Sequence, residues 1–380
     1  MNFLLAPDSF KECMSAWQAA LIMREAIERV DPAANTELAP VGDGGEGTMD
    51  VLVRATGGAF YEKEVTGPLG QPVKARYAVL GDGKTAAVEM AEASGLHLVP
   101  PDLRNPMLTT SFGTGELMKA ALDHGIQHLL VMLGGSATND GGAGMLQALG
   151  AEVLDSRMSP VGFGGGSLKD TAIVRLAGLD PRLKEITLDV ACDVTNPLSG
   201  EKGASHVFGP QKGATPDMVL KLDAYLKNFG EKLEQESGMG LQHVPGAGAA
   251  GGLGAALLAC GGVLKSGIDL VLDLLSFDEK LERADYVLTG EGKIDSQTPE
   301  GKVIAGIVRR AHSRNVPVLV FAGTVRPGYE ELYARGLLSV QSIMTGPGTL
   351  KEALEQGPQN LQFTVENTVR LITGGRTDKV

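Results

Sequence analysis

Positive charge is in short supply in this 380-residue chain: 34 lysines and arginines face 46 aspartates and glutamates, a formal net charge of −12. That balance repels nucleic acid and anionic lipid, and no run of basic residues interleaved with aromatics reverses it locally. Cysteine is scarce. Cys13, Cys192 and Cys260 are odd in number, far apart and in no metal-ligand spacing, which argues against a disulfide framework and suits reduced thiols in the cytoplasm, so all three are read as small buried residues. His97, His124, His128, His206, His243 and His312 show no ligand spacing either, so no zinc site is expected. A G-x-S-x-G elbow is missing, which argues against a Ser-His-Asp hydrolase. The opening MNFLLAPDSFKE reaches Pro7 and Asp8 after a short apolar run without a positive leading region, unlike a signal peptide. One uncharged stretch has membrane length, PGAGAAGGLGAALLACGGVL at 245–264. Being mostly glycine and alanine with no aromatic belt, it is expected to be a glycine-rich loop entering a buried helix.

Glycine is what the chain has in excess, 52 residues without a repeat period, which implies many backbone turns. The length suits two domains. From the start, FLLAP, SAWQAALIMREAIERV, TELAPV and TMDVLVRATGG alternate strand and helix. Ser15 with Gln18 forms a capping-box signature, and Trp17, Leu21, Ile27 and Val30 share a face. From Phe60 the pattern changes to alternation in FYEKEVTG, PVKARYAVL and TAAVEMAEA, a meander. Beyond about residue 280 short apolar strands (ADYVLTG, VPVLVFAG, SVQSIMTG) again alternate with helices, as in a parallel sheet covered on both faces. The expectation is an α/β protein in which residues 1–60 and 281–380 share one doubly wound sheet, residues 61–280 form an inserted α/β domain, and a small-molecule site lies in the cleft between them.

Four loops share one format, an apolar strand followed by acids, glycines and hydroxyls and then a helix: APDSFK (6–11), PVGDGGEGT (40–48), LGGSATNDGGAG (133–144) and TGEGKIDSQTPEGK (289–302). Glycines let backbone N–H groups converge on an anion at a helix N-terminus. Aspartates beside such loops make sense if a divalent cation lies between carboxylate and phosphate, and Lys11, Lys293 and Lys302 would neutralise the transferring group. Taken singly, each loop is also what a helix cap and a turn look like. Asp8 and Asp43 can be caps alone, and Asp140 with Thr138 can simply start the next helix. Glu291 and Asp295 read as more functional, because Thr298 and Pro299 already supply the cap and first position of the helix that follows.

The long connection DVACDVTNPLSGEKGASHVFGPQKGA (189–214) has few hydrophobic periods, and loops of that length are commonly functional. Asp189 and Asp193 bracket a short apolar strand at i, i+4 spacing and face one side, so one of them can serve as general base or be a solvated strand end. Two formal matches fail. GAGAAG (246–251) fits G-x-G-x-x-G but follows HVP rather than a strand, and GDGKT (81–85) lacks the first glycine of a Walker A loop and reads as a hairpin turn.

The motifs APDSFKE, PVGDGGEGT, EMAEASGL, TSFGTGEL, GGSATNDGGAGMLQALGA, ACDVTNPLSGEKGASHVFGPQKGA, PGAGAAGGLGA and TGEGKIDSQTPEGK, in that order from residue 1 to the last helix, closely resemble the type I glycerate kinase family. Cys13, Met14 and Gly42 depart from its usual residues without removing a charge. The resemblance implies two α/β domains, one flavodoxin-like and one Rossmann-like. It also implies ATP- and Mg²⁺-dependent phosphorylation of (R)-glycerate, in this family usually at the 2-hydroxyl, by a cytoplasmic enzyme, with phosphorylation at the 3-hydroxyl or a non-catalytic glycerate sensor as alternatives. A homodimer is compatible with it. On that reading Asp8, Lys11 and Asp193 are catalytic. Ser9, Gly44, Gly45, Glu46, Gly134, Gly135, Ser136, Thr138, Asn139, Lys293 and Thr298 bind substrate or nucleotide, and Asp43, Asp189, Glu291 and Asp295 are the metal candidates.

Overall fold

A computed structural model of the chain describes residues 1–299 and 303–374. It divides into two compact units, Met1–Asp43 together with the chain from Ile268 onward, and Gly44–Gly267. The division falls at 43 and 267 rather than at the expected 60 and 280. The helix Thr48–Thr56 therefore belongs to the middle unit, its first-turn amides tied to that unit's sheet, and the segment from Ile268 belongs to the other.

The first unit holds five parallel strands in the order Leu337–Ser342, Val318–Val325, Tyr286–Ile294, Asn2–Leu5, Asn35–Leu38. Numbered along this unit the order is 2-1-3-4-5, the flavodoxin-like arrangement, whose reversal lies between the first and third strands. Phe3 stands opposite Tyr286 and Leu5 opposite Leu288 across that reversal. The sheet buries Phe3, Leu5, Leu288 and Phe321 under the helices Ala16–Val30 and Leu350–Gly374, which supply Met23, Ile27, Leu361 and Val365. Ser15 caps the first helix as its spacing predicts: Ser15 Oγ accepts from Gln18 N at 3.2 Å, and Gln18 Oε1 accepts from Ser15 N at 2.9 Å. The buried face of that helix, however, is Ala16, Ala19, Ala20, Met23, Ala26 and Ile27. Trp17 and Leu21 sit only half-buried at its margin, because small alanines let the helix lie close to the sheet.

The second unit has six strands that follow chain order across the sheet: Ala59–Thr66, Pro72–Val79, Thr85–Glu89, His128–Met132, Thr187–Ala191, Val263–Lys265. The first three form the antiparallel meander read from the alternation, and the last four are parallel, linked by helical crossovers such as Phe112–Leu122. GDGKT is the hairpin turn between the second and third strands, where Asp82 Oδ1 accepts from the N–H of Lys84 and Thr85. The connection 192–214 is more ordered than its composition suggests, since it carries the short helices Ala204–Phe208 and Pro210–Lys212. Among the described residues no helix is long and apolar enough to cross a membrane.

Replacing Ser15 with Ala removes one of two reciprocal caps and is expected to cost about 1 kcal/mol. Urea denaturation of the two proteins checks this; coincident midpoints would mean that the cap contributes nothing.

Candidate active site

In the first unit the loop after Asn2–Leu5 and the end of Tyr286–Ile294 meet at the strand-order reversal. They are fastened by Asp8 N to Gly290 O at 2.9 Å and by Thr289 Oγ1 to Ala6 O at 2.7 Å. Ligands of open α/β sheets bind outside the carboxyl ends of strands at such a point. A cavity of about 670 Å³ opens there, with Asp8, Ser9, Lys11, Asp43, Glu291 and Lys293 on its polar side and Phe10, Ile343, Met344 and Leu354 on its apolar side. Burial pushes the Asp8 carboxyl up to about 6, with Asp43 adding to the rise and the Ser9 N–H, 2.6 Å from Asp8 Oδ1, opposing it. Burial pushes Glu291 further, to about 8, reinforced by the charges of Asp8 and Asp295.

Such carboxylates are hard donors whose mutual repulsion a divalent cation relieves. Among the described residues, no group of three His, Cys, Asp or Glu side chains is placed to hold a metal ion alone. The set therefore fits the mode usual for Mg²⁺, one or two carboxylates completed by substrate phosphates and water, and does not fit an all-protein cage.

In the second unit the glycine loops gather at the carboxyl ends of the parallel strands. Gly44, at φ 80°, lies so close to its neighbours that a Cβ there would stand 2.9 Å from Ala191 Cβ and from Gly267 Cα. A Cβ on Gly134 would stand 2.9 Å from Gly45 Cα. Both positions need glycine, because backbone meets backbone. Asp193, two residues past Thr187–Ala191, accepts from Gly267 N at 3.0 Å. Glu46 is exposed on the same loop as Gly45.

Several expected ligands are engaged elsewhere. Asp189, read as a metal candidate, is buried mid-strand with Lys265 Nζ 2.8 Å from its Oδ1 and His128 Nε2 3.1 Å from its Oδ2. Asp295 is ion-paired with Lys293, which with the Gln297 N–H holds it below the usual carboxylate range. Thr138 and Asn139 are buried and point into their own unit, toward Ala250 O and Ser205 Oγ. Asp140 serves the first amides of the helix Ala143–Ala148, as expected, accepting from the N–H of Gly142 and of Gly144, and it also holds Ser111. Its Oδ2 accepts from Ser111 N at 2.7 Å and from Ser111 Oγ at 2.9 Å, and its Oδ1 from Gly142 N at 3.1 Å. Thr298 closes a turn on Asp295 N, 2.9 Å away, and the following helix is described from Val303. Lys302 lies outside the described residues. GAGAAG turns tightly against Thr138 and Asn139, with Ala250 and Gly251 at positive φ, so its glycines serve internal packing.

The model of the glycerate kinase family matches residues 3–373. The chain belongs to the glycerate kinase family. It is therefore a kinase. It is 50% identical to a glycerate kinase of Haemophilus influenzae, over 98% of this chain and 99% of that one. It is 47% identical to a glycerate 2-kinase of Escherichia coli over 95% of each. The crystal structure of a candidate glycerate kinase 2 from Salmonella typhimurium LT2 superposes with a TM-score of 0.91 at 45% identity, covering 99% of both chains.

Two buried ionisable groups of this family member were not anticipated from sequence. Glu89 ends its strand and accepts from Met49 N at 2.8 Å, tying the Gly44–Gly47 loop to the sheet, and burial pushes its carboxyl up to about 7. Lys212 is buried behind the 133–144 loop. The only signals were a charged residue ending an apolar strand in VEMAEA and a lone lysine between glutamine and glycine in GPQKGA, both ordinary for surface positions.

Glu291 binds its proton more tightly folded than unfolded. Its contribution to stability is complete below about pH 4.5 and is lost as the pH rises through about 8. Without divalent cations, Glu291→Gln is expected to match the parent at pH 5 and to exceed it by roughly 2–4 kcal/mol at pH 8.5. Thermal unfolding across that range checks this; parallel curves would show that the carboxylate is not crowded.

Proposed function

We propose that the chain transfers the γ-phosphoryl group of ATP to the 2-hydroxyl of (R)-glycerate, giving 2-phospho-(R)-glycerate and ADP. The observation that carries this reading is the crowding of Asp8, Asp43 and Glu291 beside Lys11 in the cavity at the strand-order reversal. The raised proton affinity of Asp8 and Glu291 suits a site built to receive a cation and phosphates. The choice of glycerate rests on family membership, and the choice of the 2-hydroxyl on the name of the Escherichia coli relative.

Phosphoryl transfer asks a protein for positioning and charge stabilisation more than for covalent chemistry. Asp43 and Glu291 are the residues that would hold Mg²⁺, which when bound neutralises phosphate charge. Lys11 compensates charge on the transferring group from the loop after the first strand. Asp8, with its carboxyl near 6, is mostly ionised at neutral pH while still close to it, which suits a general base taking the proton of the attacking hydroxyl. Asp193 is held by the Gly267 N–H within the second unit. The cytoplasm supplies ATP and keeps thiols reduced, and Cys13, Cys192 and Cys260 form no disulfide with one another.

Purified protein with ATP, Mg²⁺ and (R)-glycerate is expected to release ADP and give a 2-phosphate signal by phosphorus NMR. Asp8→Asn should lower kcat about 100-fold or more. A 3-phosphate signal would overturn the position, undiminished Asp8→Asn turnover would overturn the base, and absence of turnover in the parent would overturn the reaction.

A further inference from the structure

Lys212 is 2% exposed, and its Nζ donates to Ser136 Oγ and to Thr138 O, both at 2.7 Å. An ammonium group only donates, so the Ser136 oxygen must accept, and its own hydroxyl proton is left to point elsewhere. Among the described residues nothing accepts that proton, nor the N–H groups of Gly134 and Gly135. The carbonyls of the same loop are tied back: Gly135 O accepts from Leu96 N at 2.8 Å, Ala137 O from Thr109 Oγ1 at 2.8 Å, and Thr138 O from Lys212. Gly134 is half-buried and Gly135 exposed, so the donors lie at the accessible edge of a loop whose acceptors are turned inward. Successive unpartnered N–H groups beside a polarised hydroxyl make a receptor for an oxyanion.

We propose that Lys212 fixes Ser136 as a hydrogen-bond donor, and that Ser136 together with the N–H groups of Gly134 and Gly135 binds an oxyanion of one substrate, the carboxylate of glycerate or a phosphate oxygen of ATP. Lys212 is a positioning residue in this arrangement, acting through Ser136. The inference rests on the glycerate kinase reading and deepens it. Burial lowers the Lys212 pKa to about 7, opposed by Asp140, the charged group that faces it. When Lys212 loses its proton, the amine can accept from Ser136, and the hydroxyl turns away from the ligand.

Steady-state kinetics of Ser136→Ala test this. The KM for one substrate is expected to rise about tenfold or more while the other stays within twofold. A rise for glycerate names the carboxylate and a rise for ATP names the phosphate. Adding Lys212→Met to Ser136→Ala should change that KM less than twofold further, and in Lys212→Arg, whose guanidinium keeps its proton, that KM should not climb between pH 7 and 9. In the parent the same KM should climb between pH 7 and 9, and in Ser136→Ala it should stay flat, a difference that a purely structural role would not produce. Both KM values within twofold of the parent in Ser136→Ala would overturn the proposal, even if Lys212→Met fails to fold. Calorimetric binding of glycerate and of MgATP reads the same site without turnover. Equal binding by parent and Ser136→Ala sinks this inference, whereas an inactive parent sinks the kinase reading.

Discussion

Crowding of like charge in a partly buried space is the constraint around which the first unit is organised. Asp8 leaves one strand and Glu291 lies in its neighbour, and the parallel pairing of Asn2–Leu5 with Tyr286–Ile294 brings the ends of segments from opposite ends of the chain together. With Asp43 on the same cavity, these acids cannot all ionise without a compensating cation, which is why burial and repulsion raise Asp8 and Glu291 together. A fold that merely needed stability would place apolar or paired residues there, as it does on the other side of the cavity with Phe10, Ile343 and Leu354. The crowding, which Lys11 offsets only in part, costs stability.

The second unit meets a different constraint, backbone approaching backbone. Gly44 against Ala191 and Gly267, and Gly134 against Gly45, leave no room for a Cβ. This accounts for part of the glycine excess. Buried ionisable groups help to hold the loops so compressed: Glu89 on the Met49 amide, Asp140 on Ser111 and Gly142, Lys212 on Ser136 and Thr138. Each of these ionisable groups is shifted toward its neutral form by burial.

The strand–loop–helix format was legible because short apolar runs and glycine-acid clusters are local signals. The Ser15–Gln18 cap, the meander from Ala59 and the parallel strands after residue 280 follow from spacing alone. The order of the motifs likewise carries the family resemblance, and the family model matches residues 3–373. What spacing could not reveal is which side chain a carboxylate meets across strands. Asp189 and Asp193 share a face by periodicity, yet only a parallel ladder through Val263 brings Lys265 onto Asp189 and leaves Asp193 beside Gly267. Lys293 lines the cavity of the first unit and is ion-paired with Asp295 two residues on. Lys212 and Glu89 were invisible for the converse reason: their importance comes from burial by segments distant in sequence.

The measurement that bears most directly on the crowded acids is the number of protons exchanged when MgATP binds at pH 7, obtained by calorimetry in two buffers of different ionisation enthalpy. Glu291 near 8 and Asp8 near 6 mean that the free protein carries protons in this cavity, which the proposed Mg²⁺ would displace. Net proton release, diminished in Glu291→Gln, is the predicted result. Binding without proton release would contradict the account.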